Sequence, residues 1–104
     1  MSQAEPKTQT KIKPIVDLKP PLMFRVIYIN DDRTSMEFVI KSLVHYFGYT
    51  ESAAEKITHD IHAQGAAVVA VLPYEVAEQK GIEITISARG AGFPLQIKLE
   101  PEES

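Results

Sequence analysis

The residues best suited to chemistry stand in one short run, Asn30-Asp31-Asp32, joined later in the chain by His62. A carboxamide oxygen, a carboxylate and a neutral imidazole nitrogen are all acceptors, and acceptors gathered about one point suit a cation rich in N–H donors. The same residues have plainer uses. Asn-Asp-Asp after a strand makes turns and caps helices, and a histidine near a helix end caps carbonyls. Metal or acid–base chemistry is a third use, with Asp31, Asp32, His45, His59 and His62 as candidates, since His59 and His62 are three apart. No second carboxylate pair at ligand spacing and no glycine-rich phosphate loop accompanies them. No metal and no cofactor is expected, and no catalytic residue is assigned.

The elements that must position these residues follow from periodicity. Residues 23–29, Met-Phe-Arg-Val-Ile-Tyr-Ile, are dense in β-branched and aromatic side chains and predict a strand that stops at Asn30. Thr34 or Ser35 then caps a helix over 35–47, whose stripe is Met36, Val39, Ile40, Leu43, Val44 and Phe47, with Gly48 as its stop. Thr50 or Ser52 caps a second helix with Ala53, Ala54, Ile57, Thr58 and Ile61 inward, ended by Gly65. In it Thr58, Ile61 and His62 stand at i, i+3 and i+4 and share a face. Ala66–Leu72 is a continuous apolar run that suits a buried strand, closed by Pro73. Beyond Pro73 the local pattern leaves two answers open. Ile82-Glu83-Ile84-Thr85-Ile86 alternates like a strand, whereas Ala77, Gly81, Ile84 and Ala88 form a helical stripe. Gly90-Ala91-Gly92 breaks the chain, and Phe93–Leu99 predicts a last strand.

Composition bounds the function classes. The chain has 104 residues, 44% of them hydrophobic and 24% charged, which fits one globular domain. It has no cysteine, so disulfides, thiolate metal sites and cysteine nucleophiles are excluded. No stretch approaches the roughly 18–20 apolar residues that span a bilayer, and the start lacks a basic region followed by an apolar one, so a cytoplasmic location and no membrane are expected. With 11 basic and 14 acidic residues, a net charge of −3 and no dense basic run, nucleic acid is not an expected partner. Residues 1–21 are Lys-rich and punctuated by Pro6, Pro14, Pro20 and Pro21, and are expected to be a flexible arm. The domain is expected over 22–100, with an acidic tail at 101–104.

The run from Pro20-Pro21 through Asn30-Asp31-Asp32 to Met36-Glu37-Phe38-Val39 resembles the opening of the ClpS family of protease adaptors. Further matches are His62 with Gln64-Gly65, then Tyr74-Glu75-Val76-Ala77-Glu78 with Lys80, and Phe93-Pro94-Leu95. They cover roughly residues 20–100 in the right order. The resemblance implies an α+β fold, a three-stranded antiparallel sheet with three helices on one side, akin to the carboxy-terminal domain of the ribosomal stalk protein. It thereby implies a helix at about 74–89.

The resemblance also implies a role and a site. The role is that of a non-enzymatic adaptor, expected as a monomer, which binds N-degron substrates through a free amino group and a bulky apolar first residue, Phe, Leu, Tyr or Trp. It delivers them to the amino-terminal domain of the ClpA unfoldase of the ClpAP protease. Asn30, Asp31 and His62 would hold the ammonium. Met36, Val39, Thr58, Ile61 and Leu95 would line the side-chain pocket, with Asp32 and Thr34 at its rim. Glu75, Glu78 and Lys80 would dock onto the unfoldase, and the arm would be offered to its pore. Many family members carry Met where this chain has Thr58, so a paralogous module with altered selectivity is the alternative reading. A generic interaction module, indifferent to a free amino terminus, is another. Because the ammonium would arrive only with the ligand, Asp31→Ala is expected to spare the fold.

Overall fold

A computed structural model describes residues 20–103. The order is β1 (Met23–Ile29), α1 (Met36–Phe47), α2 (Glu51–Gln64), β2 (Ala66–Pro73), α3 (Tyr74–Gly90) and β3 (Gln96–Pro101). The flexible arm expected at 1–21 lies outside the described residues up to position 19, as does Ser104 at the end of the expected tail.

β1 is the central strand, with the order β2-β1-β3 and both neighbours antiparallel. Strand side chains alternate in direction. Phe24, Val26 and Tyr28 therefore face the helices, and Val26 and Tyr28 are fully buried beneath them. Leu43 from α1, Ala54 and Ile61 from α2, Val69 from β2 and Ala77, Ile84 and Ala88 from α3 complete the core. The bulge opposite Val26 and Ile27 leaves Val69 without a partner on β1. Its carbonyl instead accepts from the Tyr49 hydroxyl at 2.5 Å.

Caps set the helix bounds. Ser35 Oγ accepts from the Phe38 amide at 3.0 Å and Thr50 Oγ1 from the Ala53 amide at 3.1 Å, each satisfying an orphan donor of a first turn. Thr34 and Ser52, the other candidates, are not the caps. α1 stops at Gly48, whose φ of 75° a residue with a Cβ adopts only under strain.

The open question after Pro73 resolves as a helix. Ala77, Ile84 and Ala88 turn inward, and Gly81 passes close to Ile97, where an added Cβ would lie 3.8 Å from its side chain. Ile82 and Ile86, which made the stretch alternate, are 54% and 66% exposed. Two other expectations need correction. Val44 of the expected α1 stripe faces solvent, and Ser42 is buried in the core instead. A serine is tolerated there because its hydroxyl donates to the Val39 carbonyl at 2.8 Å and accepts from the Tyr28 hydroxyl at 2.8 Å. The last strand begins at Gln96 rather than Phe93 and runs on to Pro101, because Gln96 pairs with Ile29, the final residue of β1. Residues before it have no strand to bond.

Candidate functional site

Three local structures meet at the top of β1. The Asn30 amide donates to the Gly65 carbonyl at 2.9 Å, so the end of β1 is tied to the end of α2. Gly65 takes φ 89° and returns its own amide to Ile61 at 2.9 Å, which stops α2 one turn after Ile61 and His62. This places His62 beside Asn30, although 32 residues separate them by number in the chain.

The loop from β1 to α1 is organised by Asp31. Its Oδ1 accepts from the Arg33 amide at 2.8 Å and the Thr34 amide at 2.6 Å, and its Oδ2 from the Thr34 hydroxyl at 2.8 Å. The carboxylate therefore has a structural role before any ligand arrives, and the expectation that Asp31→Ala spares the fold does not hold. A carboxylate offers about four acceptor sites. With three used, one on Oδ2 is left for a further donor.

Burial pushes the Asp31 carboxyl up, but the hydrogen bonds from Thr34 and Arg33, with the Arg33 charge, more than offset this and hold it below its ordinary pKa. A depressed folded pKa contributes stability that is fully present above the unfolded value of about 3.9 and is lost as pH falls through the folded one. An NMR titration of the Asp31 carboxyl carbon is expected to give a midpoint below about 3.9. A midpoint above that value would show that burial dominates and the turn is loose.

A narrow cleft of about 290 Å³, counting its open mouth, runs from this corner between α1 and α2. Its lining is Ile29, Asn30, Asp31, Thr34, Met36, Val39, Thr58, Ile61, His62 and Leu95. Val39, Thr58, Ile61 and Leu95 form a buried floor, whereas Met36 is 43% exposed and stands at the mouth. Thr58 presents no free hydroxyl, because Oγ1 donates to the Ala54 carbonyl at 2.7 Å. What remains is a methyl group. Asp32, expected at the rim, is exposed and does not line the cleft.

Two contributors escaped the sequence reading. Ile29 lines the cleft as the last residue of β1, next to Asn30. Arg89, in the last turn of α3, donates to the Phe93 carbonyl at 3.1 Å and the Leu95 carbonyl at 2.8 Å. It thereby pins the link into β3 that carries Leu95 to the floor. No local signal marks such a role, since a basic residue in a last helical turn is ordinary.

The expected docking residues do not share one face. Glu75 and Glu78, three apart, are exposed together, with the Tyr74 hydroxyl donating to Glu78 at 3.0 Å. Lys80 lies about 200° further round the helix than Glu78. Its ammonium sits 5.9 Å from the centre of the Phe47 ring of α1. Among the described residues, no three His, Asp or Glu side chains are placed to share a metal ion. No described helix is long and apolar enough to cross a membrane.

Fold and cleft together define a small α+β domain with a cleft at the end of its central strand, where Asn30, Asp31 and His62 stand beside apolar side chains. The family profile described as ATP-dependent Clp protease adaptor protein ClpS matches residues 19–98. This chain belongs to the ClpS family. A Rhodopseudomonas palustris protein, ATP-dependent Clp protease adapter protein ClpS 1, is 39% identical over 99% of this chain and 100% of its own. Its Bradyrhizobium diazoefficiens namesake is 43% identical over 95% of this chain and 94% of its own. Among solved structures, Agrobacterium tumefaciens ClpS2 bound to L-phenylalaninamide superposes with a TM-score of 0.77, at 37% identity, over 80% of this chain and 100% of that one.

Proposed function

We propose that this adaptor captures polypeptides that begin with a free amino group on Phe, Leu, Tyr or Trp, and delivers them in the cytoplasm to a ClpA-type unfoldase. The observation that supports the reading is that Asn30, Asp31 and His62 line the same cleft as the apolar Met36, Val39, Ile61 and Leu95. An α-ammonium has three donors, and the Asn30 carboxamide oxygen, the unused site on Asp31 Oδ2 and a His62 ring nitrogen are acceptors for them. The first side chain would enter between Met36 and Val39 on one wall and Thr58 and Ile61 on the other, with Leu95 beneath. L-phenylalaninamide, bound by the Agrobacterium relative, has both a free amine and a benzyl side chain, which supports this division of labour.

Burying such a side chain is worth about 1.5–3 kcal/mol, and each hydrogen bond to the charged group roughly 1.5–3 kcal/mol. Micromolar or tighter affinity is feasible after the cost of association. The experiment that tests the reading is a calorimetric titration with a peptide that begins with Phe, against the same peptide acetylated. Acetylation removes the charge and leaves one N–H donor, so an affinity loss of at least roughly a hundredfold is expected. Equal affinities would favour a generic interaction module. Peptides that begin with Ile or Val place a branch next to the anchored amine and are expected to bind more weakly. Tight binding of these would indicate that Thr58, which offers only a methyl where Met is common, has widened the selectivity.

Delivery is assigned to Glu75 and Glu78, which face solvent together. Lys80, held against Phe47, would contribute mainly by fixing α3 on α1.

A further inference from the structure

Leu95 closes the floor of the cleft from just outside the sheet. Pairing of β3 with β1 begins at the next residue, Gln96, opposite Ile29. The link that carries the chain there from α3 starts at a helix end built on Gly92, with φ 85°. Its backbone bonds are local: the Ala91 amide donates to Ser87 at 3.1 Å, Gly92 to Arg89 at 3.0 Å and Phe93 to Ala88 at 2.8 Å. They fix where the link leaves the helix, and they end before Leu95.

Two side-chain contacts carry the order onward. The Phe93 ring packs on Phe38 of α1, with centroids 5.4 Å apart and planes inclined by 59°. Arg89 reaches over the link, and the two hydrogens of its Nη1 atom meet the carbonyls of Phe93 at 3.1 Å and Leu95 at 2.8 Å. One planar guanidinium thus joins the helix end, the link and the residue at the floor, although Arg89 itself does not line the cleft. Leu95 is buried, so its side chain has close neighbours to lose. A gap of about 0.5–1 Å forfeits roughly a quarter to a half of the dispersion attraction across a packed contact. A small movement of the Leu95 backbone would therefore be felt by whatever fills the cleft.

We propose that Arg89 is a positioning residue for substrate selection: by clamping the Leu95 carbonyl it sets the depth of the cleft, and with it how closely the first side chain of a substrate is gripped. The proposal rests on the substrate reading above and adds a division within it. Asn30, Asp31 and His62 answer for the amine, whereas Arg89 bonds to Phe93 and Leu95 and answers for the floor. A long, planar first side chain such as Phe reaches Leu95. A short one such as Ala stops above it and is indifferent to the clamp.

The test compares the full chain with Arg89→Met, which keeps an unbranched stem and removes every donor. Calorimetric affinities are measured for three peptides that differ only at their start: Phe, Ala and acetylated Phe. The ratio by which Phe outbinds Ala is expected to shrink roughly three- to tenfold in the variant, while the ratio of Phe to acetylated Phe stays within about twofold of the parent's. A general loss of stability would scale all three affinities together and leave both ratios alone. In the free protein, the Leu95 methyl resonances are expected to move or broaden in the variant, which reports on the floor without a ligand. An unchanged Phe-to-Ala ratio, an equal fall in both ratios, or Leu95 methyls that stay in place overturns the role of Arg89. A parent that binds free and acetylated Phe equally would overturn the substrate reading and this proposal with it, so the two failures are told apart. Should Arg89→Met fail to fold, Arg89→Lys, which keeps donors but loses the planar fork, is expected to shift the Phe-to-Ala ratio in the same direction by a smaller factor. An unchanged ratio there overturns the proposal as well.

Discussion

Asp31→Asn is expected to weaken binding of a peptide that begins with Phe by about 1.5–3 kcal/mol, roughly ten- to a hundredfold in Kd, with only a small change in the thermal transition. Asparagine keeps an acceptor oxygen for the amides of Arg33 and Thr34, so the loop into α1 retains its main hydrogen bonds. What disappears is the negative charge that would meet the ammonium. Asp31→Ala is a different change. It removes all the bonds to Arg33 and Thr34 at once, and is expected to lower both stability and affinity. The pair of variants separates the two duties of one carboxylate. If the asparagine variant bound the peptide as tightly as the parent, Asp31 would be a turn residue alone and the ammonium would have to be held elsewhere.

Leu43→Ala is expected to have the largest effect on stability, about 2–5 kcal/mol, because Leu43 is fully buried where α1 meets the sheet. For a domain of this size that corresponds to a fall of roughly 10 °C or more in Tm. Thermal unfolding with and without a saturating Phe peptide checks it. Leu43 does not line the cleft, so the folded fraction of the variant should bind with nearly parental affinity. A loss of affinity equal to that of Asp31→Asn would mean that the cleft reshapes when the core behind it relaxes. Such coupling has a route, since Val39, one turn before Leu43, lines the cleft and offers its carbonyl to Ser42.

The Tyr28–Ser42 pair shows how the core tolerates polar atoms beneath the site. Burial raises the pKa of the Tyr28 hydroxyl well above its ordinary value, so it stays protonated. It can therefore donate to Ser42, which donates its own hydrogen bond to the Val39 carbonyl. Both buried hydroxyls thus have partners, which is the condition for burying them.

Much of this was legible in the order of residues. Dense β-branching marked β1, the caps and glycines marked α1 and α2, and the matched segments from Pro20 to Leu95 pointed to the ClpS fold and to the cleft residues. Those signals are local, or are fixed by their order along the chain, and need no coordinates. The helix α3 was different. Its local pattern supported two answers, because Ile82, Ile84 and Ile86 satisfy strand alternation while only Ile84 enters the core.

What the tertiary structure alone decided are matters of distance between residues remote in the chain. It brought His62 to Asn30 through one backbone bond, set Arg89 to hold Leu95, and put Lys80 on the Phe47 ring away from Glu75 and Glu78. The physical reason is the same in each case. Propensity and periodicity report which face of an element is apolar, whereas the partner of a polar group is chosen by where the packed elements bring its neighbours.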